Sequence, residues 1–240
     1  MANSWFQFKR FKICQEQAAM KVSTDACIFG AWLNSLFTDK QWNVLDVGTG
    51  TGLLSLMYLQ GNPESRGCAL EPNAAAAQDA RGNFEASDWK NNIILESATF
   101  QKFSENNNRL FDLIICNPPF FQNHLQAEQT DRSMARHDAL LPMELAEGAR
   151  RLTNNQGLLA VIYPETVWKI WLSAAEKSGW YLRHQLNIQP TVDKSVNRIC
   201  GVFGRDTTAV QPVFQHLLIR ENNDYTPKFK SLLQPYYLNL

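Results

Sequence analysis

Asn43-Val44-Leu45-Asp46-Val47-Gly48-Thr49-Gly50-Thr51-Gly52 is the stretch that decides the fold. Its first five residues form a short, mostly apolar run that is typical of a buried strand, and three glycines follow at alternate positions. A helix is predicted directly after them, from Leu53 to about Gln60. Because glycine permits tight turns and lets the backbone approach a ligand closely, this order of strand, glycine turn and helix indicates a ligand-binding βαβ unit.

The same alternation of strands and helices continues along the chain. It predicts an α/β fold with a seven-stranded, mostly parallel sheet, an antiparallel hairpin near the end and helices on both faces. No linker-like composition divides the chain, so residues 1–240 are expected to form one domain. The further strands are predicted at Gly67–Glu71, Asn92–Glu96, Phe111–Cys116, Leu158–Tyr163, Tyr181–Ile188 and Ile199–Gly204, with another candidate at Val213–Ile219. The further helices are predicted at Asp25–Leu36, Asn73–Ser87, Pro142–Thr153 and Glu165–Lys177.

Composition narrows the class of protein. Lys and Arg together number 23 and so do Asp and Glu, so the formal net charge is zero and gives no support by itself to a nucleic-acid partner. The five cysteines lie far apart without a CxxC pair, which argues against a metal site or a disulfide framework. No apolar run is long enough to cross a bilayer, and the first residues lack the layout of a signal peptide. We therefore expect a cytoplasmic, monomeric protein without a metal.

Asn117-Pro118-Pro119-Phe120 follows the predicted strand Phe111–Cys116. In an open α/β sheet the carboxyl ends of the strands form the edge where ligands bind. The side-chain carbonyl of Asn117 and the backbone carbonyl of Pro118 can both accept hydrogen bonds from one planar NH2 group, and Phe120 offers a ring on which a flat base can stack. These residues predict a catalytic site that methylates an exocyclic amine, with Asn117, Pro118 and Phe120 as the groups that hold it.

Several other residues are candidates for binding the methyl donor. Glu71 ends the second strand, where a carboxylate can accept both hydroxyls of a ribose. Asp46 precedes Gly48 and Gly50, and an acid there suits a cationic sulfonium better than a pyrophosphate. Thr99, after the third strand, is a weaker candidate for the adenine amino group, and a plain turn explains it equally well. Lys21 and Thr24 are further candidates for contacts with the ligand. Ser23, Thr24 and Asp25 also suit a helix N-cap.

Two regions are candidates for contacts with RNA. The polar stretch Gln122–Asp138 carries Arg132 and Arg136, which could hold phosphates, although a solvated loop without a role is the alternative. The N-terminal segment is basic and aromatic and places Lys9 and Arg10 among phenylalanines. We expect Pro119 and Phe121, beside the catalytic residues, to contact the substrate as well.

Three further stretches carry a resemblance to a known family: Phe8-Lys9-Arg10-Phe11, Met20-Lys21-Val22-Ser23-Thr24-Asp25 continuing to Gly30-Ala31-Trp32, and Phe111-Asp112-Leu113-Ile114-Ile115-Cys116-Asn117. Together with the glycine turn and the Asn-Pro-Pro-Phe motif, they resemble the tRNA1(Val) (adenine(37)-N6)-methyltransferases, which belong to the Rossmann-like, class I, S-adenosylmethionine-dependent methyltransferases. The similarity runs nearly the full length, including Arg132, Arg136 and the ending Tyr236-Tyr237-Leu238.

The resemblance implies an enzyme that methylates N6 of adenine 37, beside the anticodon of a valine tRNA, with S-adenosylmethionine as cofactor. It implies that Gly48, Gly50 and Glu71 bind the cofactor with Asp46, Lys21 and Asn117 nearby, and that residues 1–40 pack on the cofactor site. This sequence departs from the family at Thr99, where an acid is usual, and at Ser23, where glycine is usual.

Other function classes remain open at this point. The nearest alternative is another amino methyltransferase, acting on N2 of guanine in ribosomal RNA or on a protein glutamine. A nicotinamide-dependent oxidoreductase could use the same sheet, but the glycine spacing and the Asn-Pro-Pro-Phe motif argue against it. A non-catalytic RNA-binding protein could retain the fold without the chemistry.

Overall fold

The structure, a computed structural model, describes residues 3–18, 20–118, 140–206 and 211–240. Within these ranges the chain forms eleven strands and seven helices. The strands are β1 (Trp5–Gln7), β2 (Lys12–Cys14), β3 (Asn43–Val47), β4 (Arg66–Leu70), β5 (Ile93–Glu96), β6 (Phe111–Cys116), β7 (Thr153–Pro164), β8 (Tyr181–Thr191), β9 (Arg198–Gly204), β10 (Val213–Glu221) and β11 (Asp224–Tyr225). The helices are α1 (Thr24–Leu36), α2 (Leu53–Gly61), α3 (Ala74–Glu85), α4 (Phe100–Asn106), α5 (Pro142–Arg151), α6 (Glu165–Lys177) and α7 (Pro227–Leu233).

Nine of these strands form one sheet in the order β11-β10-β8-β9-β7-β6-β3-β4-β5. Five neighbouring strands, β7, β6, β3, β4 and β5, are parallel to one another, while β9 lies between β7 and β8 and is antiparallel to both. The seven strands from β3 to β9 are those predicted from the sequence, and β8 with β9 forms the predicted hairpin. The further strand candidate at Val213–Ile219 is confirmed as β10, which pairs in parallel with β8 and makes the sheet larger than the seven strands predicted; only the short β11, which folds back on β10, was not anticipated.

Helices cover both faces of the sheet, as predicted. On one face α1, α2, α3 and α7 share a core cluster with Leu113 and Ile115 of β6, and on the other α4, α5 and α6 share a core cluster with Ile114 and Cys116. Successive side chains of a strand point to opposite faces, so a strand covered on both sides must be apolar throughout. This explains why β6 is apolar from Leu113 to Cys116, while Asp112 near its start is only partly buried and accepts from the Asn43 N–H at 2.9 Å.

The N-terminal region adds structure that was not expected from the sequence. β1 and β2 form a small antiparallel hairpin, and the Asn83 side chain of α3 forms hydrogen bonds with both backbone groups of one residue in β2. The side-chain oxygen of Asn83 accepts from the Cys14 N–H at 2.7 Å and its Nδ2 donates to the Cys14 carbonyl at 2.8 Å. The next element is α1, whose predicted N-cap is confirmed: the Ser23 hydroxyl accepts from the Ala26 N–H at 3.2 Å.

Two short helices, α4 and α7, were also not predicted. Each begins at a threonine N-cap, Thr99 for α4 and Thr226 for α7.

Among the described residues, no helix has the length and apolarity needed to cross a membrane.

Candidate functional site

Strand register brings the predicted site residues to one edge of the sheet. Cys116 of β6 pairs with Val47 of β3, Val47 pairs with Leu70 of β4, and Leu70 pairs with Glu96 of β5. The next residues along these strands, Asn117, Gly48, Glu71 and Ser97, therefore follow one another along the carboxyl edge. Neighbouring strands lie about 4.8 Å apart, so the strands that carry Asn117 and Glu71 are separated by about 10 Å. The glycine turn lies between these two residues.

The glycine turn leaves open space where a ligand is expected. Gly48, Gly50 and Gly52 have φ values of 68°, 57° and 84°, in the left-handed region that favours glycine. A Cβ placed on Gly48 or Gly50 would meet no atom within 4 Å, whereas one on Gly52 would lie 2.4 Å from the Phe84 ring. The first two glycines therefore line an open cradle, and the third allows the turn to pack on α3.

Asp46 lies beneath this cradle and is 2% exposed. Its Oδ2 accepts hydrogen bonds from the Thr49 hydroxyl at 2.6 Å, the Ser55 hydroxyl at 2.7 Å and the Ser55 N–H at 3.1 Å. Its Oδ1 is buried and has no hydrogen-bond partner in the described part of the chain. Burial raises the pKa of the Asp46 carboxyl, and the bonds from Thr49 and Ser55 oppose that shift. A nearby cationic ligand would favour the charged form.

Glu71 also supports the glycine turn. It is 7% exposed, and its two carboxylate oxygens accept from the Gly50 N–H and the Asn73 N–H, each at 2.9 Å. Each carboxylate oxygen has about two lone pairs, so both oxygens retain the capacity to accept from a ribose hydroxyl. The position fits the role predicted for it.

Asn117 follows β6 directly and is half-buried, while Pro118 is buried. The Asn117 side chain makes no hydrogen bond with the described residues, so its carbonyl oxygen is available to a substrate amine. Five other residues predicted to contact the substrate lie outside the described residues: Pro119, Phe120, Phe121, Arg132 and Arg136.

The segment before α1 is fastened beside the site. Asp79 of α3 accepts from the backbone N–H groups of Gln17 and Ala18 at 2.9 and 2.8 Å. The Lys21 ammonium donates to the backbone carbonyl of Gln15 and, at 3.4 Å, to that of Glu16. These bonds show Lys21 holding the segment together.

Helix α1 begins at the site edge. Arg198, the first residue of β9, pairs with the last residue of β7 at that edge and forms an ion pair with Asp25 of α1 at 3.1 Å. Thr24, predicted as a ligand contact, is exposed at the start of the helix.

Thr99 has a structural role in this arrangement. Its hydroxyl caps α4 by accepting from the Lys102 N–H at 3.4 Å. Ser97, rather than Thr99, is the register neighbour of Glu71, and it is exposed. Sequence reasoning also missed Thr49 and Ser55 as the groups that orient Asp46. A signal for them is present, since one hydroxyl lies in the glycine loop and the other in the first turn of α2, both shortly after an acidic strand residue.

Lys9 and Arg10 are not brought to this edge. Arg10 lies over the Trp89 ring at 5.0 Å and pairs with Asp88 at 3.5 Å, in the connection that precedes β5. The Lys9 ammonium donates to the Gln234 carbonyl at 2.6 Å, near the end of the chain. Because β5 runs from this connection toward the site, Arg10 lies at the opposite edge of the sheet. Lys9 lies there too, since the C-terminal segment that it bonds also accepts from Gln60 near the end of α2, away from the glycine turn.

Comparison with known proteins shows the family of this chain. Residues 30–164 match the family model described as the methyltransferase small domain. A protein of Vibrio campbellii is 33% identical over 236 residues, which cover 98% of this chain and 96% of the relative. A protein of Cytophaga hutchinsonii is 35% identical over 245 residues, which cover 100% of this chain and 100% of the relative. Both relatives are named tRNA1(Val) (adenine(37)-N6)-methyltransferase.

Solved structures support the fold. A predicted O-methyltransferase from Agrobacterium tumefaciens superimposes with a TM-score of 0.68 at 16% identity and covers 89% of this chain and 99% of its own. A ribosomal protein L11 methylase from Lactobacillus delbrueckii superimposes with a TM-score of 0.53 at 15% identity, over 74% of this chain and 77% of its own. The fold is thus that of the class I S-adenosylmethionine-dependent methyltransferases, as predicted, and the chain belongs to the tRNA1(Val) (adenine(37)-N6)-methyltransferase family.

Proposed function

We propose that this protein is a methyltransferase that transfers a methyl group from S-adenosylmethionine to N6 of adenine 37 in tRNA1(Val). One observation carries the proposal: Asn117 lies at the end of β6, beside the open glycine cradle and in the same row as Glu71. The names of the relatives support the choice of tRNA as the substrate.

The residues at the edge fit the cofactor. S-adenosylmethionine supplies a methyl carbon activated by a positively charged sulfur. We propose that it lies against the backbone of Gly48 and Gly50, where an added Cβ would meet no atom within 4 Å, and that Glu71 accepts from its ribose hydroxyls. Asp46 contributes a negative charge that favours a cationic ligand. We also propose Lys21, Thr24 and Thr99 as residues near the cofactor, with Lys21 and Thr99 acting mainly through the segments that they hold.

The base would be held by oxygen atoms. An aromatic NH2 group is a poor nucleophile because its lone pair is shared with the ring. Hydrogen bonds from its two protons to the Asn117 Oδ1 and the Pro118 carbonyl orient it and match the positive charge that grows on nitrogen in the transition state. No dedicated base is needed, since the nitrogen becomes strongly acidic once it is alkylated. We propose that Phe120 stacks on the adenine and that Pro119 and Phe121 line its pocket.

The wider interaction with RNA is also a proposal. Arg132 and Arg136 would hold phosphates near the base, and Lys9 and Arg10 would contact a distant part of the tRNA. We further propose that residues 1–240 act as one domain, that the protein works as a monomer without a metal, and that it resides in the cytoplasm with its substrate.

An Asn117→Ala variant tests the proposal. We expect kcat to fall by about 10² to 10³, as when one preorganised transition-state hydrogen bond is removed, with the Kd for S-adenosylmethionine changed little. Asn91→Ala, at an exposed asparagine on the opposite edge, is the matched control and is expected to remain active. The measurement uses radiolabelled cofactor and tRNA, followed by digestion to nucleosides. N6-methyladenosine supports the proposal, whereas N2-methylguanosine or labelled protein would refute it.

A further inference from the structure

The turn between β8 and β9, residues 192–197, lies at the same edge of the sheet as Asn117. Cys116 of β6 pairs with Val161 of β7, and Pro164 at the end of β7 pairs with Arg198 at the start of β9. Two strand spacings of about 4.8 Å separate β6 from β9, so this turn begins about 10 Å to the side of Asn117.

The strand order places this turn on the side of β6 away from Gly48 and Glu71. Gly48 and Glu71 follow β3 and β4, which lie on one side of β6, whereas β7, β9 and β8 lie on the other. A base that reaches Asn117 must leave the cofactor side to the methyl donor. If the nucleotides that flank the base extend away from the methyl donor, they cross the β7–β9–β8 side of this edge.

The β8–β9 turn is held in one shape by its own hydrogen bonds. Nε2 of Gln189 donates to the backbone carbonyls of Thr191, Val192 and Lys194, at 3.0, 3.4 and 2.7 Å. The Lys194 N–H donates to the Thr191 carbonyl at 3.1 Å, and the Asn197 N–H donates to the Ile188 carbonyl at 3.0 Å. A turn preorganised in this way loses little conformational entropy when it binds a partner.

The exposed groups of the turn suit a nucleotide chain. Val192 is 62% exposed and offers an apolar contact for a base or ribose. The Lys194 side chain is exposed and makes no ion pair with the described residues, so its ammonium is available to a phosphate. Asp193 adds an exposed carboxylate that suits a base amino group, while Arg198 already pairs with Asp25.

We propose that the β8–β9 turn contacts the nucleotides flanking the target adenine. In this inference, which rests on the proposed function, Lys194 holds a phosphate and Val192 packs on a nucleotide. Gln189 acts as a positioning residue because it fixes the shape of the turn without touching the RNA.

The test compares Lys194→Ala and Gln189→Met in steady-state methylation of tRNA, with cofactor affinity measured by calorimetry. For Lys194→Ala we expect the KM for tRNA to rise about tenfold and the slope of log KM against log salt concentration to fall by about 1, as for one lost phosphate contact. For Gln189→Met we expect a similar rise in KM but an unchanged salt slope, because Lys194 still reaches the phosphate once the loosened turn is ordered at an entropic cost. In both variants kcat and the Kd for S-adenosylmethionine should change less than the KM for tRNA.

Lys177→Ala is the matched control, since Lys177 is an exposed lysine at the carboxyl-terminal end of α6. A wild-type KM and salt slope in Lys194→Ala, in an enzyme that methylates tRNA, would overturn the inference while leaving the proposed function standing. A wild-type protein that cannot methylate tRNA would instead refute the proposed function itself.

Discussion

At the scale of single residues, Gly50 and Gly52 share a backbone conformation but differ in their surroundings. We expect Gly50→Ala to cost about 1 kcal/mol of stability through its positive φ, and to weaken cofactor binding because the added methyl enters the open cradle. Gly52→Ala should cost about 3 kcal/mol or more, since its methyl also collides with the Phe84 ring. Thermal unfolding measures stability, and calorimetry measures the Kd for S-adenosylmethionine.

The two variants serve as controls for each other. For a chain of this length a loss of 1 kcal/mol lowers Tm by about 2–4 °C, so the two alanines should be clearly separated in a melting experiment. If Gly50→Ala bound the cofactor as tightly as the wild type, the space above that glycine would not be the cofactor site.

At the scale of elements, Asn83 joins three parts of the chain. It bonds both backbone groups of Cys14 in β2, and its Nδ2 also donates to the Thr51 carbonyl of the glycine turn at 2.9 Å. Asn83→Ala removes three hydrogen bonds and, because Asn83 is 2% exposed, leaves the buried Thr51 carbonyl without this partner, so we expect a loss of about 3 kcal/mol. Hydrogen exchange should show faster exchange of the Cys14 amide, and thermal unfolding should show a lower Tm.

Asn106→Ala provides the comparison for Asn83→Ala. Asn106 is also helical and also donates from Nδ2 to a backbone carbonyl, that of Lys102 at 2.9 Å, but it is exposed. Its loss should cost less than 1 kcal/mol, because water replaces the bond. Equal losses of stability in the two variants would contradict the role given to Asn83.

The same elements explain how much could be predicted from sequence. β3 and β6 were predicted with the observed bounds, because each is an apolar run ended by residues that favour a turn. The β1–β2 hairpin was missed because it depends on Asn83, 69 residues beyond Cys14 in the chain, and no local pattern records that contact. Likewise, strand ends located Asn117 and Glu71, whereas the hydroxyls of Thr49 and Ser55 follow Asp46 closely in sequence but their bonds to it are seen only in the folded chain.

At the scale of the whole molecule, the two ends of the described chain meet. The Lys9 N–H donates to the Tyr236 carbonyl at 2.8 Å, and Phe8 forms a β-bridge with Tyr237. The Tyr236 hydroxyl in turn accepts from Asn34 of α1 at 2.5 Å, so the C-terminal segment is bonded both to the N-terminal hairpin and to the helix that starts at the site. Lys9 and Arg10 are thereby held at the edge of the sheet opposite Asn117.

This placement makes the contribution of Lys9 and Arg10 depend on the length of the RNA. β4 has five residues, and at about 3.3 Å per residue the sheet keeps these cations roughly 17 Å or more from the base pocket. We expect Lys9→Glu with Arg10→Glu to raise the KM for whole tRNA about tenfold at low salt, and to leave methylation of an isolated anticodon stem-loop nearly unchanged. Lys177→Glu should change neither. Equal effects on both RNAs would place the two cations beside the base instead. An unchanged KM for whole tRNA would show that they lie outside the binding surface, because the new negative charges would repel any RNA phosphates that came close to them.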